Sequence, residues 1–89
     1  MNEAHESLLS YPCDFPIKIV GRREGGFAQA IMAIVMRHAP DFQPATMEMR
    51  SSRQGTYLSL TCTVRAVSRE QLDELYRELC DHPLVVMVL

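Results

Sequence analysis

Two short stretches carry side chains that could do chemistry, and both lie where a predicted secondary-structure element begins or ends. Residues 36–44 read MRHAPDFQP, and residues 21–27 read GRREGGF. In the first stretch, His38 could act as a general base, because histidine titrates near neutral pH, with the nearby Asp41 to orient its ring. The local sequence favours a simpler interpretation, in which His38 only ends a helix, because Pro40 cannot continue one.

The second stretch is a candidate site for a small anion. Arg22, Arg23, Gly25 and Gly26 precede a predicted helix, whose free N–H groups and dipole attract negative charge. The alternative is a solvated turn with flexible charges. That interpretation is favoured, because matches to so short a motif often occur without the function. The loop is similar to the phosphate loop of acylphosphatases. That family also places an asparagine on a following strand, whereas the sole asparagine of this chain is Asn2.

The cysteines predict neither a metal site nor a disulfide. Cys13, Cys62 and Cys80 are odd in number and widely spaced, without a C-x-x-C pair. Metal-chaperone domains carry a cysteine pair in the loop after the first strand, which this chain lacks. We therefore predict no cofactor and no metal, and free thiols of this kind are typical of a reducing compartment.

Composition predicts one globular domain in the cytoplasm. The chain has 89 residues, of which 47% are hydrophobic and 22% charged. No stretch approaches the roughly 20 apolar residues that span a bilayer, and the acidic N-terminus does not resemble a signal peptide. A net charge of −2 argues against a membrane or nucleic-acid partner, because nucleic-acid affinity requires a basic surface.

Hydrophobic periodicity divides the chain into strands and helices in the order β-α-β-β-α-β. The predicted strands are residues 15–21, 44–52, 56–67 and 84–89, and the predicted helices run from Phe27 to about His38 and from Ser68 to just before Pro83. Residues 1–12 are predicted to form a loosely held arm, and residues 13–89 a single domain.

This order predicts an α+β fold, a ferredoxin-like sandwich. Right-handed crossovers place both helices on one face of a four-stranded antiparallel sheet of order 4-1-3-2. The other face stays open to water, and it is a candidate interaction surface through Tyr57, Thr61, Thr63 and Arg65. RNA-recognition domains use this face with several aromatic rings, and Tyr57 alone makes RNA a minor hypothesis.

The final strand predicts a partner. LVVMVL is apolar on both faces, although edge strands normally carry charge that prevents pairing with another chain. Val85 and Met87 are therefore further candidates for the interaction surface. The occupant of this edge could be the N-terminal arm, a second copy of the chain or another protein.

Four segments together resemble the YbeD-like family of small bacterial proteins: FPIKIVG, IVMRHAPDF, the polar-faced hairpin and the terminal VVMVL. The resemblance runs from about Leu8 to Leu89 and implies a ferredoxin-like fold similar to ACT regulatory domains, which bind small effectors at subunit interfaces. It implies no catalytic residues. ACT domains bind at the turn between first strand and first helix, but this turn lacks their Asp-x-Pro-Gly character.

The leading hypothesis is a non-enzymatic regulatory or protein-interaction module that uses the sheet face or an edge strand. The alternative is an ACT-like domain that binds a small anion or effector at Arg22, Arg23, Gly25 and Gly26. An enzyme ranks third, because no catalytic set is apparent in the sequence.

Overall fold

A computed structural model of the protein describes residues 10–89, so most of the predicted N-terminal arm lies outside the described residues. The strands are β1 (Cys13–Arg22), β2 (Glu48–Ser51), β3 (Tyr57–Ala66) and β4 (Val85–Val88), and the helices are α1 (Phe27–His38) and α2 (Arg69–Asp81). Neighbouring strands are antiparallel and lie in the order β2-β3-β1-β4. This order confirms the predicted ferredoxin-like topology.

The two central strands carry the core on one face. β1 and β3 pair from Cys13 opposite Ala66 to Arg22 opposite Tyr57 without a register shift. Side chains of one face are fully buried under the helices, and they include Ile17, Ile19, Leu60, Cys62 and Val64. The alternate side chains of both strands point to the open face, as the period-2 pattern predicts.

Helix α1 begins at a glycine and ends at the predicted residue. Gly26 has a φ of 86°, a left-handed conformation that other residues adopt only with strain, and it supplies no side-chain cap. The helix buries Phe27, Ile31 and Val35 against the sheet. The N–H of Ala39 donates to the carbonyl of Val35, after which the chain leaves the helix toward Pro40.

Helix α2 begins as its capping signal predicts. The Oγ of Ser68 accepts a hydrogen bond from the N–H of Gln71 at 3.1 Å, which satisfies one of the free donors of the first turn. The helix then buries Leu72, Leu75 and Leu79 at the predicted spacing.

The predicted strand over residues 44–52 is wrong in its first half. Pro44–Thr46 forms a short 3-10 turn, and the extended strand comprises four residues, Glu48–Ser51. Met49 in this strand is 61% exposed. It lies opposite Leu60 on the helix side of the sheet. Its strand is at the edge, where the helices cover the sheet less than they cover the central strands β1 and β3.

A β-bulge in the last strand separates two residues that simple alternation places on one face. Val20 lies opposite Met87, but Gly21 lies opposite Val85, so Val86 is an extra residue. Val85 packs against the core, whereas the side chains of Val86 and Met87 are 54% and 45% exposed. The predicted pair Val85 and Met87 is therefore divided between the two sides of the sheet.

Among residues 10–89, neither helix has the length and apolarity needed to cross a membrane. The core instead lies between the sheet and the two helices, and its buried set contains no charged or polar side chain.

Gly21 lets helix α1 approach the sheet. A Cβ at this position would collide with the ring of Phe27 and lie 2.6 Å from the carbonyl oxygen of Leu84. The ring of Phe27 is buried, so it has little room to move aside.

We therefore expect Gly21→Ala to lower the free energy of unfolding by about 1–3 kcal/mol, as overpacking of a close-packed core does. Gly25→Ala is the matched control, since a Cβ there meets no atom within 4 Å, and it should change stability by less than about 0.5 kcal/mol. Urea denaturation of both variants measures the difference, and equal stabilities would contradict this account of Gly21.

Candidate functional site

His38 is held in a contact between the two helices. Its Nε2 lies 2.7 Å from the Oε1 of Glu78, and Arg37 pairs with the other oxygen of the same carboxylate. The side chain of His38 is 19% exposed. Glu78, on α2, is thus its partner, and no hydrogen bond between His38 and Asp41 is present in residues 10–89. This geometry favours a structural role at the end of α1.

Gln71 joins three elements at the same end of the molecule. Its Oε1 accepts from the N–H of Val67 at 2.7 Å, while its Nε2 donates to the carbonyls of His38 at 2.8 Å and Arg65 at 3.3 Å. The side chain therefore links the end of α1, the end of β3 and the start of α2. The sequence indicates the capping spacing between Gln71 and Ser68. It does not indicate the hydrogen bonds to the other two elements, because His38 is distant in the chain.

The two arginines between β1 and α1 occupy different positions beside the β2–β3 hairpin. Arg22 ends β1 opposite Tyr57, on the open face. The N–H of Arg23 donates to the carbonyl of Thr56 at 3.0 Å, and its guanidinium lies over the hairpin turn, 3.3 Å from where a Cβ of Gly55 would stand. The loop thus packs beside the β2–β3 turn.

Gly25 and Gly26 complete the predicted anion loop. Gly25 is exposed, with open space where a side chain would be, and Gly26 adopts the left-handed conformation that starts α1. The glycines therefore shape the turn, and a ligand role for this loop remains a prediction.

The open face has a polar concavity across three strands. Thr61 on β3 lies between Lys18 on β1 and Glu48 on β2. Two residues earlier on β3, Ser59 lies opposite Arg50 on β2. The concavity has a volume of about 370 Å³. Its walls are formed by Lys18, Glu48, Met49, Arg50, Ser59 and Thr61.

The predicted interaction surface is spread over both ends of this face. Tyr57, with a side chain 39% exposed, lines a neighbouring concavity of about 130 Å³ that also includes Lys18 and Arg50. Thr63 and Arg65 lie at the other end, where Arg65 pairs with Asp14 at 3.5 Å. Thr61 thus lies with the Tyr57 half, in the same concavity as Lys18.

Lys18 and Arg50 are site candidates that sequence reasoning did not select. Alternation places each on the open face of its own strand. Their proximity depends on the pairing of β2 with β3, which places Arg50 opposite Ser59, and of β3 with β1, which places Thr61 opposite Lys18. Nothing in the local sequence specifies those two registers.

The thiols differ in accessibility. Cys62 is buried on the helix side of β3, and burial raises the pKa of its thiol to about 11. Cys80 is exposed near the end of α2, and Cys13 is half-buried. Among residues 10–89, no three His, Cys, Asp or Glu side chains converge to hold a metal ion.

This architecture defines the class of the protein: an α+β domain with ferredoxin-like topology, whose second sheet face is left uncovered by residues 10–89. The chain belongs to a family described as a protein of unknown function (DUF493), whose model matches residues 6–89. Family membership confirms the resemblance noted from the sequence segments.

Relatives match almost the whole chain. A UPF0250 protein of Nitrosomonas europaea is 61% identical over 84 residues, which are 94% of this chain and 97% of the relative. A UPF0250 protein of Bordetella pertussis is 56% identical over 84 residues, 94% of this chain and 92% of that protein.

Solved structures share the fold. Protein HP0495 from H. pylori superposes with a TM-score of 0.74 at 13% identity, covering 91% of this chain and 85% of that one. The ACT domain from GTP pyrophosphokinase of Chlorobium tepidum gives a TM-score of 0.67 at 18% identity, covering 86% of this chain and 97% of that one. At these identities the likeness concerns the fold alone.

The role of Gln71 is tested by Gln71→Glu, which keeps the acceptor for Val67 and removes the donor to two carbonyls. We expect a loss of about 1–3 kcal/mol in unfolding free energy, because partly buried carbonyls would then lose their partner and face a carboxylate. Glu70→Gln, at an exposed neighbouring position, should cost only a few tenths of a kcal/mol, about the worth of one helix-dipole charge. Thermal or urea denaturation measures both variants, and equal losses of unfolding free energy in Gln71→Glu and Glu70→Gln would refute the linking role.

The thiol accessibilities predict selective alkylation. At pH 8, only about one Cys62 side chain in a thousand is ionised when its pKa is about 11, and the burial that raises the pKa also excludes the reagent. Iodoacetamide should therefore modify Cys80 in the folded protein and reach Cys62 only after unfolding. Peptide mass spectrometry measures both sites, and equal labelling of the native protein would contradict the structure.

Proposed function

We propose that this protein is a non-enzymatic interaction module that pairs with a second copy of itself through the edge of β4. The observation that carries the proposal is an edge strand without charge. Val86, Met87 and Leu89 are 54%, 45% and 60% exposed, and residues 84–89 contain no Asp, Glu, Lys or Arg.

The two edges of the sheet differ in how they meet solvent. β2 carries Glu48 and Arg50, charges that discourage a further strand from pairing. β4 pairs with β1 on one side, and within residues 10–89 no strand pairs with its other side, whose backbone N–H and C=O groups a further strand could satisfy. The apolar edge is therefore the better place for added strand pairing.

A second copy fits this edge because of symmetry. Two identical strands that pair antiparallel about a twofold axis form a self-complementary contact, the usual arrangement of homodimers. An uncharged strand brings no like-charge repulsion into such a pair. The result would be one continuous eight-stranded sheet in which the backbone groups at both β4 edges are paired.

The side chains with catalytic potential support a non-enzymatic role. The His38 ring lies in the contact between the helices, 2.7 Å from Glu78 and 19% exposed, and the Cys62 thiol is buried with a raised pKa, which favours structural roles for both. A regulatory role for the module draws on the likeness to an ACT domain from GTP pyrophosphokinase.

Sedimentation velocity tests the pairing through Val86→Lys and Met87→Lys. A lysine on each copy would place like charges at the shared edge, and we expect the dissociation constant of the dimer to rise by about tenfold or more. The matched control is Val67→Lys, which adds the same charge to a side chain 58% exposed beside α2. A wild-type monomer at high micromolar concentration, or equal dissociation by the control, would refute the proposal.

A further inference from the structure

Most cations that form no ion pair among residues 10–89 lie on one part of the surface. Arg37, Arg65 and Arg69 pair with carboxylates among residues 10–89. The remaining six basic side chains make no ion pair within those residues, and five of the six lie on the open face or around its hairpin end: Lys18, Arg22, Arg23, Arg50 and Arg53. The chain has a net charge of −2, so this clustering is a local feature.

Lys18 and Arg50 are the pair best placed to act together. β1 and β2 flank β3, which sets the backbones of these residues about 10 Å apart across the strands. Long side chains span that gap, and both line the same two adjoining concavities. Arg50 lies opposite Ser59, and Lys18 lies opposite Thr61, two residues further along β3; Ser59 also lines both concavities.

The floor between the cations offers hydroxyl donors. Ser59 and Thr61 project from β3 into the concavity of about 370 Å³. A phosphate monoester carries a charge of about −1.5 to −2 and three strong acceptor oxygens, which match two cations and two hydroxyls converging from three strands. A lysine binds phosphate as a point charge and an arginine as a fork, so the two side chains complement each other.

The adjoining concavity suits the rest of such a ligand. It is lined by the ring of Tyr57 and the side chain of Val20, beside Lys18, Arg50 and Ser52. An exposed aromatic ring next to an apolar side chain favours a planar group, which can stack on it. Glu48 does not line this adjoining concavity; its carboxylate belongs to the larger one, opposite Thr61, where its charge disfavours an anion close to it.

We propose that the open sheet face binds a small phosphate monoester with a planar group, such as a nucleoside monophosphate. Lys18 and Arg50 hold the phosphate over Ser59 and Thr61, and the planar group lies against Tyr57. This site is separate from the β4 edge and differs from the β1–α1 loop, so it does not depend on self-association.

Isothermal titration calorimetry with adenosine monophosphate, ribose 5-phosphate and inorganic phosphate tests the site. All three should bind the wild type, and adenosine monophosphate should bind more tightly than the other two. Lys18→Gln and Arg50→Gln should each weaken all three ligands by about tenfold or more, the loss expected for a charge-assisted hydrogen bond. Tyr57→Leu should weaken adenosine monophosphate and leave inorganic phosphate unchanged.

Two matched controls separate this site from general charge effects. Arg77→Gln removes one charge from an exposed position on α2, and Arg23→Gln removes one from the β1–α1 loop; both should keep wild-type affinity. Circular dichroism verifies folding of each variant, since all five substituted positions are exposed. No binding by wild type at about 10 mM ligand, or an equal loss in Arg77→Gln or Arg23→Gln, overturns the proposal.

Discussion

β1 and β3 pair over ten residues without a register shift, and the other elements are placed relative to that pair. A slip of β1 by one residue would turn Ile17 and Ile19 toward water and Lys18 toward the helices. Each apolar side chain so exposed would lose roughly 1.5–3 kcal/mol of burial. This register therefore fixes both the core and the identity of the open face.

The two ends of the molecule use polar groups in different ways. At the end of α1, Glu78 engages Arg37 and His38, while Gln71 satisfies backbone groups of three elements. Exposed ion pairs contribute little energy, so their value lies in fixing how the helices meet. At the hairpin end, the cations lack carboxylate partners within residues 10–89. The paired groups at the end of α1 stabilise the fold, and the unpaired cations at the hairpin end are available to a ligand.

The apolar edge and the basic face are compatible in one assembly. If two copies join through β4, the sheet continues across the twofold axis and both open faces lie on the same side. Val20 and Lys18, both on β1, would then lie one strand away from the junction strand β4, and Arg50 on β2 would lie three strands away. Strand pairing through the edge would leave each basic concavity accessible, so the two proposed roles do not compete.

Local patterns in the sequence determined the order of elements, the stop of α1 at Pro40, the cap of α2 at Ser68 and the core face of β3. These features depend on residues within a few positions of each other, where period and capping chemistry act. Only the tertiary structure decided the partner of His38, the bulge at Val86, the exposure of Met49 and the approach of Lys18 to Arg50. Each of these results depends on strand register or on helix packing between residues that are distant in the chain. Register and packing are set by all the core side chains together, because each must be buried at the same time.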